Sequence, residues 1–467
     1  MTSTTPTPNS PHASTTRQLT RVDSVDLAGV IPSVALLGAL HAGFRPSRIF
    51  FAFVLVLALV ATGRLWDGLS PTTYGPAGLL AGAPRERQLV DAQDSARSLV
   101  IPALRADQRA QAATASLDEL AALLRESAVS TLPDHIDAAR YEKLVGTIDA
   151  ARPRSSFEAL DEAVRTSFFA FLRALSHLDG GSAIAHFEQL IIEIPSTSWQ
   201  CAPWFSAYFA VSGVILILGC GGVLCRLNAG DLSSRQWTLR QARAFIRPRL
   251  WSLCGAPLFA VGFAALLWIP AWTIGRLLNI PLLNMIGGLL FGFALVLCAL
   301  VALLLTVLCL GLPLIGPAVA CDGCDAVESV QRVGAYIFKR PLHLAGYALL
   351  SCLLIAAGAV VADYVVASAW NGAMGAFNSA SHASSLSAQG SMRFLEPFQR
   401  GFAPAMGLTE SATASLLEMW RTVLSLLVGS ATLSVALACA TRAYLLVRMH
   451  SDSQEVSDLW VDSELKL

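Results

Sequence analysis

Two histidine–carboxylate couples, His177-x-Asp179 and His186-x-Glu188, and one Cys321-Asp-Gly-Cys324 come nearest to chemistry in this chain of 467 residues. A helix that holds a metal presents ligands at i, i+3 or i+4, whereas an i, i+2 spacing turns the two members of each couple to different faces. Both couples therefore read as solvated surface residues. The cysteine pair would need two more ligands at metal spacing to hold a structural zinc, and it reads as a plain loop pair. A G-x-S-x-G elbow, a P-loop and a G-x-G-x-x-G after a strand are absent. The sequence thus assigns no catalytic residue, no metal and no cofactor.

Charges within apolar runs are the stronger pointers, because burying one in hydrocarbon costs at least about 2.5 kcal/mol. Asp363 stands in LLIAAGAVVADYVVASAW, about two turns before Trp370, and Arg421 follows Trp420 in the next apolar run. Antiparallel spans would bring the two to similar depth. Either they pair across the last two helices or line a polar path, or each snorkels separately to the headgroups.

The elements that must position these residues follow from composition. Hydrophobic residues make up 54% of the chain and charged ones 14%, against about 25% charge in a soluble domain. Thirty-three basic and 33 acidic residues leave no net charge, which excludes the basic excess of a nucleic-acid binder. Mean hydropathy is +0.56. A spanning helix needs about 20 mostly apolar residues, and six stretches qualify: 49–66, 204–225, 250–274, 282–312, 342–370 and 416–447. In hydrocarbon every backbone polar group must be satisfied internally, so these read as helices. The expected fold is all-α: a polytopic membrane bundle of six transmembrane helices with an inserted helical extracytoplasmic domain at 67–203.

Residues 1–24 read as a disordered tail, and 25–48 as an interfacial helix or a weakly ordered leader feeding the first span. Basic loops resist translocation. The loop 226–249 carries six arginines against Asp231 alone, which places it, the segment 313–341, and both termini (the second being 448–467) in the cytoplasm. The 275–281 turn and the 371–415 loop then fall outside. The expected location is a bacterial inner membrane.

Residues 68–200 hold 12 basic and 17 acidic side chains, so an acidic outer domain is balanced by basic inner loops. Ser116-Leu-Asp-Glu119 and Ser155-Ser-Phe-Glu158 have the capping-box pattern of a helix start. After the second, Phe157, Leu160, Val164, Phe168, Phe171, Leu172 and Leu175 form one apolar stripe, which must face either the rest of this domain or the membrane surface. Only Cys201 of ten cysteines lies near this domain, so it has no disulfide framework.

Gly288-x-x-x-Gly292, Gly221 and Gly222 read as helix-packing positions. Thr238-Leu-Arg-Gln241 caps a short amphipathic helix, with Leu239, Ala242, Phe245 and Ile246 on one face. Arg226, Arg240, Arg243, Arg247, Lys339 and Arg340 are expected to meet anionic lipid. Pro313 and Pro317 are expected to end the fourth span, and Pro341 to open the fifth. Asp325 sits at the positive end of the short helix between them.

Two runs carry a resemblance. The first is Gly221-Gly-Val-Leu-Cys-Arg226-Leu-Asn-Ala229 with the arginine-rich helix that ends at Arg249-Leu-Trp-Ser-Leu-Cys-Gly-Ala-Pro257. The second is the elbow Gly311-Leu-Pro313-Leu, Asp325-Ala326, Arg332, Tyr336, Arg340-Pro341. Together they resemble a family of multi-pass membrane proteins typical of planctomycete-type bacteria. A looser likeness is to the membrane domain attached to some glycerophosphodiester phosphodiesterases. The likeness covers roughly 200–370, and Val333-Gly-Ala stands where that pattern has Ser-Tyr-Ser. It implies topology, not an activity. Three classes stay open: a non-enzymatic envelope scaffold or complex subunit, which the sequence favours; a transporter with a polar path near Asp363 and Arg421; and the membrane module of a lipid-handling enzyme. The partners implied are membrane lipids and a protein partner at the outer domain or elbow, with no nucleic acid.

Overall fold

A computed structural model of the chain describes residues 34–70, 79, 86–117, 119–121, 123–124, 138–151, 154–177, 179–233, 235–277, 279–280, 283–380, 408–452, 454 and 458–460. The expected tail 1–24, residues 25–33 of the expected interfacial helix, and most of the 371–415 loop lie outside the described residues. The fold is an all-α membrane bundle. Six of its helices are long and apolar enough to cross a membrane, and among the described residues no β-strand forms.

The spanning helices are α2 (Pro46–Leu69), α9 (Pro203–Leu232), α11 (Leu250–Leu277), α12 (Leu283–Asp322), α14 (Pro341–Ala380) and α15 (Leu408–Asp452). Three of them open on proline, whose missing N–H would be unsatisfied in a first turn anyway. Before α2 comes α1 (Val34–Gly43). It does not read as a leader: Leu36, Ala39 and Ala42 are buried in the main core with Val435, Ala438 and Cys439 of α15, while Leu37 faces outward. Gly43 lets the two backbones meet, since a Cβ there would stand 2.7 Å from the Val435 Cα.

The fourth span does not end at Pro313. α12 continues through Pro313 and Pro317 to Asp322. Each proline removes one ladder hydrogen bond, but Leu314, Ile315, Ala318, Val319, Ala320 and Cys321 are buried around them, and that packing outweighs the local preference. The true stop is Gly323, in the left-handed region at φ +67°, whose N–H closes on the Val319 carbonyl at 3.0 Å.

The Gly288 and Gly292 expectation also fails within the chain. Both are exposed, and a Cβ on either would meet nothing within 4 Å. The domain-side half of α12 pairs with α11 and otherwise points apolar side chains such as Met285 and Leu289 outward. Gly221 and Gly222 are buried instead, with added Cβ atoms 3.5 Å from Leu437 and 3.0 Å from Leu253. Gly43→Ala is therefore expected to destabilise by about 1–3 kcal/mol through backbone overlap. Gly288→Ala and Gly292→Ala should be neutral or stabilising by up to about 1 kcal/mol. Thermal unfolding in detergent checks both, and equal losses at all three sites would contradict this assignment.

The segment expected as one outer domain divides. α3 (Glu86–Val100), α4 (Ala106–Ala112) and α5 (Ala138–Ala151) build a separate small core from Val100, Leu104, Leu120, Leu124, Leu144 and Ile148. Both arms of the Ser116–Glu119 capping box form, at 2.8 and 3.3 Å. The rest is a hairpin of α6 (Ser156–Ser176) against α7 (Gly180–Glu188), a π turn at Gln189–Glu193, and α8 (Ile194–Cys201). Its stripe faces the bundle: Phe157 covers Gly63 of α2, and Leu172 packs on Ala356 and Ala359 of α14.

Candidate functional site

Among the described residues, an extended polar network forms where α9, α12, α13 (Ala326–Lys339), α15 and residues 458–460 converge. Asp322, the last residue of α12, is its centre. Its Oδ2 accepts from Arg332 Nη1 at 2.6 Å and from the Tyr444 hydroxyl at 2.5 Å, and its Oδ1 accepts from Arg448 Nη1. Arg448 also donates to the Asp458 carbonyl at 2.6 Å, and Arg332 to Glu328 at 2.8 Å. Beside it, the Tyr336 hydroxyl donates to Asp452 Oδ2 at 2.5 Å, with Lys339 Nζ 3.8 Å from the other oxygen. Burial and the Asp452 carboxylate both push the Tyr336 phenol above its ordinary range, so it stays a donor. Three cations and three carboxylates balance within this set.

Arg226 is not lipid-facing. It is 3% exposed. Its guanidinium lies between the Trp237 and Phe245 rings, 3.8 Å from each centroid, and donates to the Ala320 carbonyl at 2.8 Å and the Trp460 carbonyl at 2.6 Å. The Trp460 N–H returns a bond to the Cys321 carbonyl at 2.9 Å, and its ring lies against Gly323. Residues 458–460 are thus tied across the exit of α12 by three helices. The aromatic clamp depends on α10 (Leu239–Ile246), whose Thr238–Gln241 capping box forms as expected and whose Ala242, Phe245 and Ile246 are buried. Leu239 is exposed instead of joining them. Arg240, Arg243, Arg247, Lys339 and Arg340 are exposed.

The elbow residues divide by role. Arg332 and Tyr336 enter the network. Asp325 caps α13 by position without a side-chain cap bond, Ala326 opens that helix, and Pro341 opens α14. Asp322, Tyr444, Arg448 and Trp460 were not singled out from sequence. Their signal was faint: an acid inside the Cys-x-x-Cys, and an arginine just beyond the sixth apolar run.

A second polar knot ties the α1–α2 bend to the end of α9. Arg48 is buried and donates to Asn228 Oδ1 at 2.6 Å, Asp231 Oδ2 at 2.6 Å, and the carbonyls of Ala42 at 2.9 Å and Leu227 at 3.1 Å. Arg45 reaches Asp231 Oδ1 at 2.6 Å. Asp231, expected in a loop, is in the last turn of α9.

The histidine couples do not come together as a site. Asp179 caps α7 by accepting from the Ser182 N–H at 3.2 Å, and His186 Nδ1 lies 3.4 Å from Gln189 Oε1. Among the described residues no group of three or more His, Cys, Asp or Glu could hold a metal. Asp363 is 6% exposed within α14, Arg421 is half-buried in α15, and neither lacks an interaction partner.

Cys324 is buried beside this network, and burial pushes its thiol up to about 12. The folded value lies above that of an ordinary thiol, so Cys324 stays neutral at pH 8, and the thiolate is the nucleophile. Its alkylation by iodoacetamide should be at least about 100-fold slower than in the unfolded chain, and Trp460→Ala should accelerate it. Peptide mass spectrometry over time reads both, and equal rates folded and unfolded would refute the burial.

What this geometry does chemically is hold. The carboxylate is surrounded by donors from Arg332, Tyr444 and Arg448. No family model, curated protein or solved structure matches the chain.

Proposed function

We propose that the protein is a non-enzymatic scaffold or complex subunit of a cell envelope, embedded in the inner membrane with the Asp322 end in the cytoplasm. The observation that supports this most is the Asp322 network: its charged groups bind one another and the chain's own carbonyls across four helices. That arrangement suits a rigid platform. In this reading the exposed Arg240, Arg243, Arg247, Lys339 and Arg340 meet anionic headgroups, each contributing about 1 kcal/mol, and the small helical unit of α3–α5 offers the partner surface on the far side. The likeness of 200–370 to multi-pass membrane families supports the topology. Purification in mild detergent, with native mass measurement and chemical cross-linking, is expected to recover a defined complex. Isolation of a lone monomer from native membranes would overturn the scaffold reading.

One observation favours a transporter as the second reading: Asp363 is buried mid-helix, where an ionisable group is costly and marks function by default. Proteoliposome uptake that fails in Asp363→Asn would favour it over the scaffold. The Asp363–Arg421 pairing belongs to this reading.

A further inference from the structure

We infer that the α6–α8 hairpin is inserted in the bilayer along the bundle, beyond the six apolar spans, with its outward face covered by lipid acyl chains. Its depth follows from a chain of contacts. Phe157, at the start of α6, covers Gly63 near the domain-side end of α2. Leu172, near the end of α6, packs on Ala356 and Ala359, with Phe168, Phe169 and Phe171 around it. Those alanines flank Gly358, which would set a Cβ 3.3 Å from Val435 and 3.4 Å from Leu40, and Val435 in turn meets Gly43 just before the foot of α2. From Phe157 to Leu172 the hairpin therefore descends from the head of the first span to the level of its foot. The 21 residues of α6 reach about 31 Å at 1.5 Å per residue, close to the thickness of a hydrocarbon core, about 30 Å.

The outward face fits that depth. Ile184, Phe187, Ile191, Ile192 and Trp199 are all exposed large apolar residues, and the series runs on into Trp204 at the start of α9, a helix that itself crosses the membrane. Water would be a poor partner for so long an apolar strip, whereas continuity with a spanning helix names lipid as its cover. Near the Phe157 end charge is paired, in Arg154–Glu162 and Arg165–Asp161, and Arg173 stands at the other end, in the last turn of α6. Deeper polar groups are partly joined to one another: Ser167 donates to Gln189 Oε1 at 3.1 Å, and His186 approaches the same oxygen. Glu188 beside them and Glu193 in the π turn, both exposed, are charged groups that insertion must carry.

The test uses the intact chain reconstituted at high lipid-to-protein ratio. Hydroxyl-radical footprinting compares Ile192 and Trp199, 59% and 58% exposed, with Leu99 and Val90 of the small helical unit, 58% and 54% exposed. Insertion predicts labelling of the first pair suppressed by roughly tenfold against the second, because water is absent from the core. Equal labelling would overturn it. A Leu172→Cys/Ala359→Cys pair is expected to cross-link in the same liposomes. Suppressed labelling without that cross-link would mean a hairpin lying flat on the surface, which overturns insertion equally.

Discussion

Asp322→Asn is expected to lower the stability of the folded protein by about 3–5 kcal/mol, the range for removing one partner from a buried ion pair. The substitution keeps the shape and one acceptor oxygen but places an amide where a carboxylate met two guanidiniums and a phenol. Arg448 has a side chain only 2% exposed, so its charge has nowhere to go. Arg332 is 28% exposed and keeps Glu328, so Arg332→Met should cost much less, about 1 kcal/mol. The double variant Asp322→Asn/Arg448→Met should recover part of the loss, because an apolar replacement of both partners is often tolerated. Unfolding in detergent micelles measures all three. A loss below about 1 kcal/mol for Asp322→Asn would remove Asp322 from the centre of the site. The damage should also spread, since Arg448 positions Asp458 and, through it, the segment that covers the α12 exit. Faster alkylation of Cys324 in Asp322→Asn would report that release.

The bundle was legible from sequence because membrane spans are written in the chain itself. Run length and hydropathy suffice where lipid forbids unpaired backbone. What escaped was set by packing between segments far apart. Pro313 reads locally as a stop, and only the buried surroundings of Leu314 to Cys321 explain why the helix persists to Asp322. Gly288-x-x-x-Gly292 has the spacing of a packing motif, yet spacing cannot say whether a neighbour arrives. Arg226 shows the same limit from the charged side. In a basic loop its charge suggests lipid, whereas its fate is decided by Trp237 and Phe245, 11 and 19 positions along the chain, and by Trp460, 234 positions away. In the elbow, Arg332 and Tyr336 were singled out, but their partners Asp322 and Asp452 were not. The α6 stripe was visible, but its partner was not, because periodicity gives a face and never its destination.

Arg48→Met should be the other severe substitution, costing about 2–4 kcal/mol. Arg48 is buried and donates to four acceptors from two segments: Ala42 in α1, and Leu227, Asn228 and Asp231 in α9. Asp231 is the carboxylate that pairs its buried charge. With methionine there, the stem still packs but the acceptors lose their donor, and a buried unsatisfied polar group costs about 1–3 kcal/mol. Asp231 keeps Arg45, whose side chain is 45% exposed and so contributes little on its own. A cycle of Arg48→Met, Asp231→Asn and the double variant should therefore show coupling of about 1–3 kcal/mol, while the same cycle with Arg45→Met should show less than about 1. Additive losses at Arg48 and Asp231 would mean that the α1–α2 bend is held by the Gly43–Val435 contact and not by this ion pair. The two knots also make separable claims. Arg48 joins α1 and α2 to α9, whereas Asp322 joins α12 to α13 and α15, so combining Arg48→Met with Asp322→Asn should give the sum of the single losses. Strong coupling between them would show that the two knots answer to one network, with the last turns of α9, from Arg226 to Asp231, as the link.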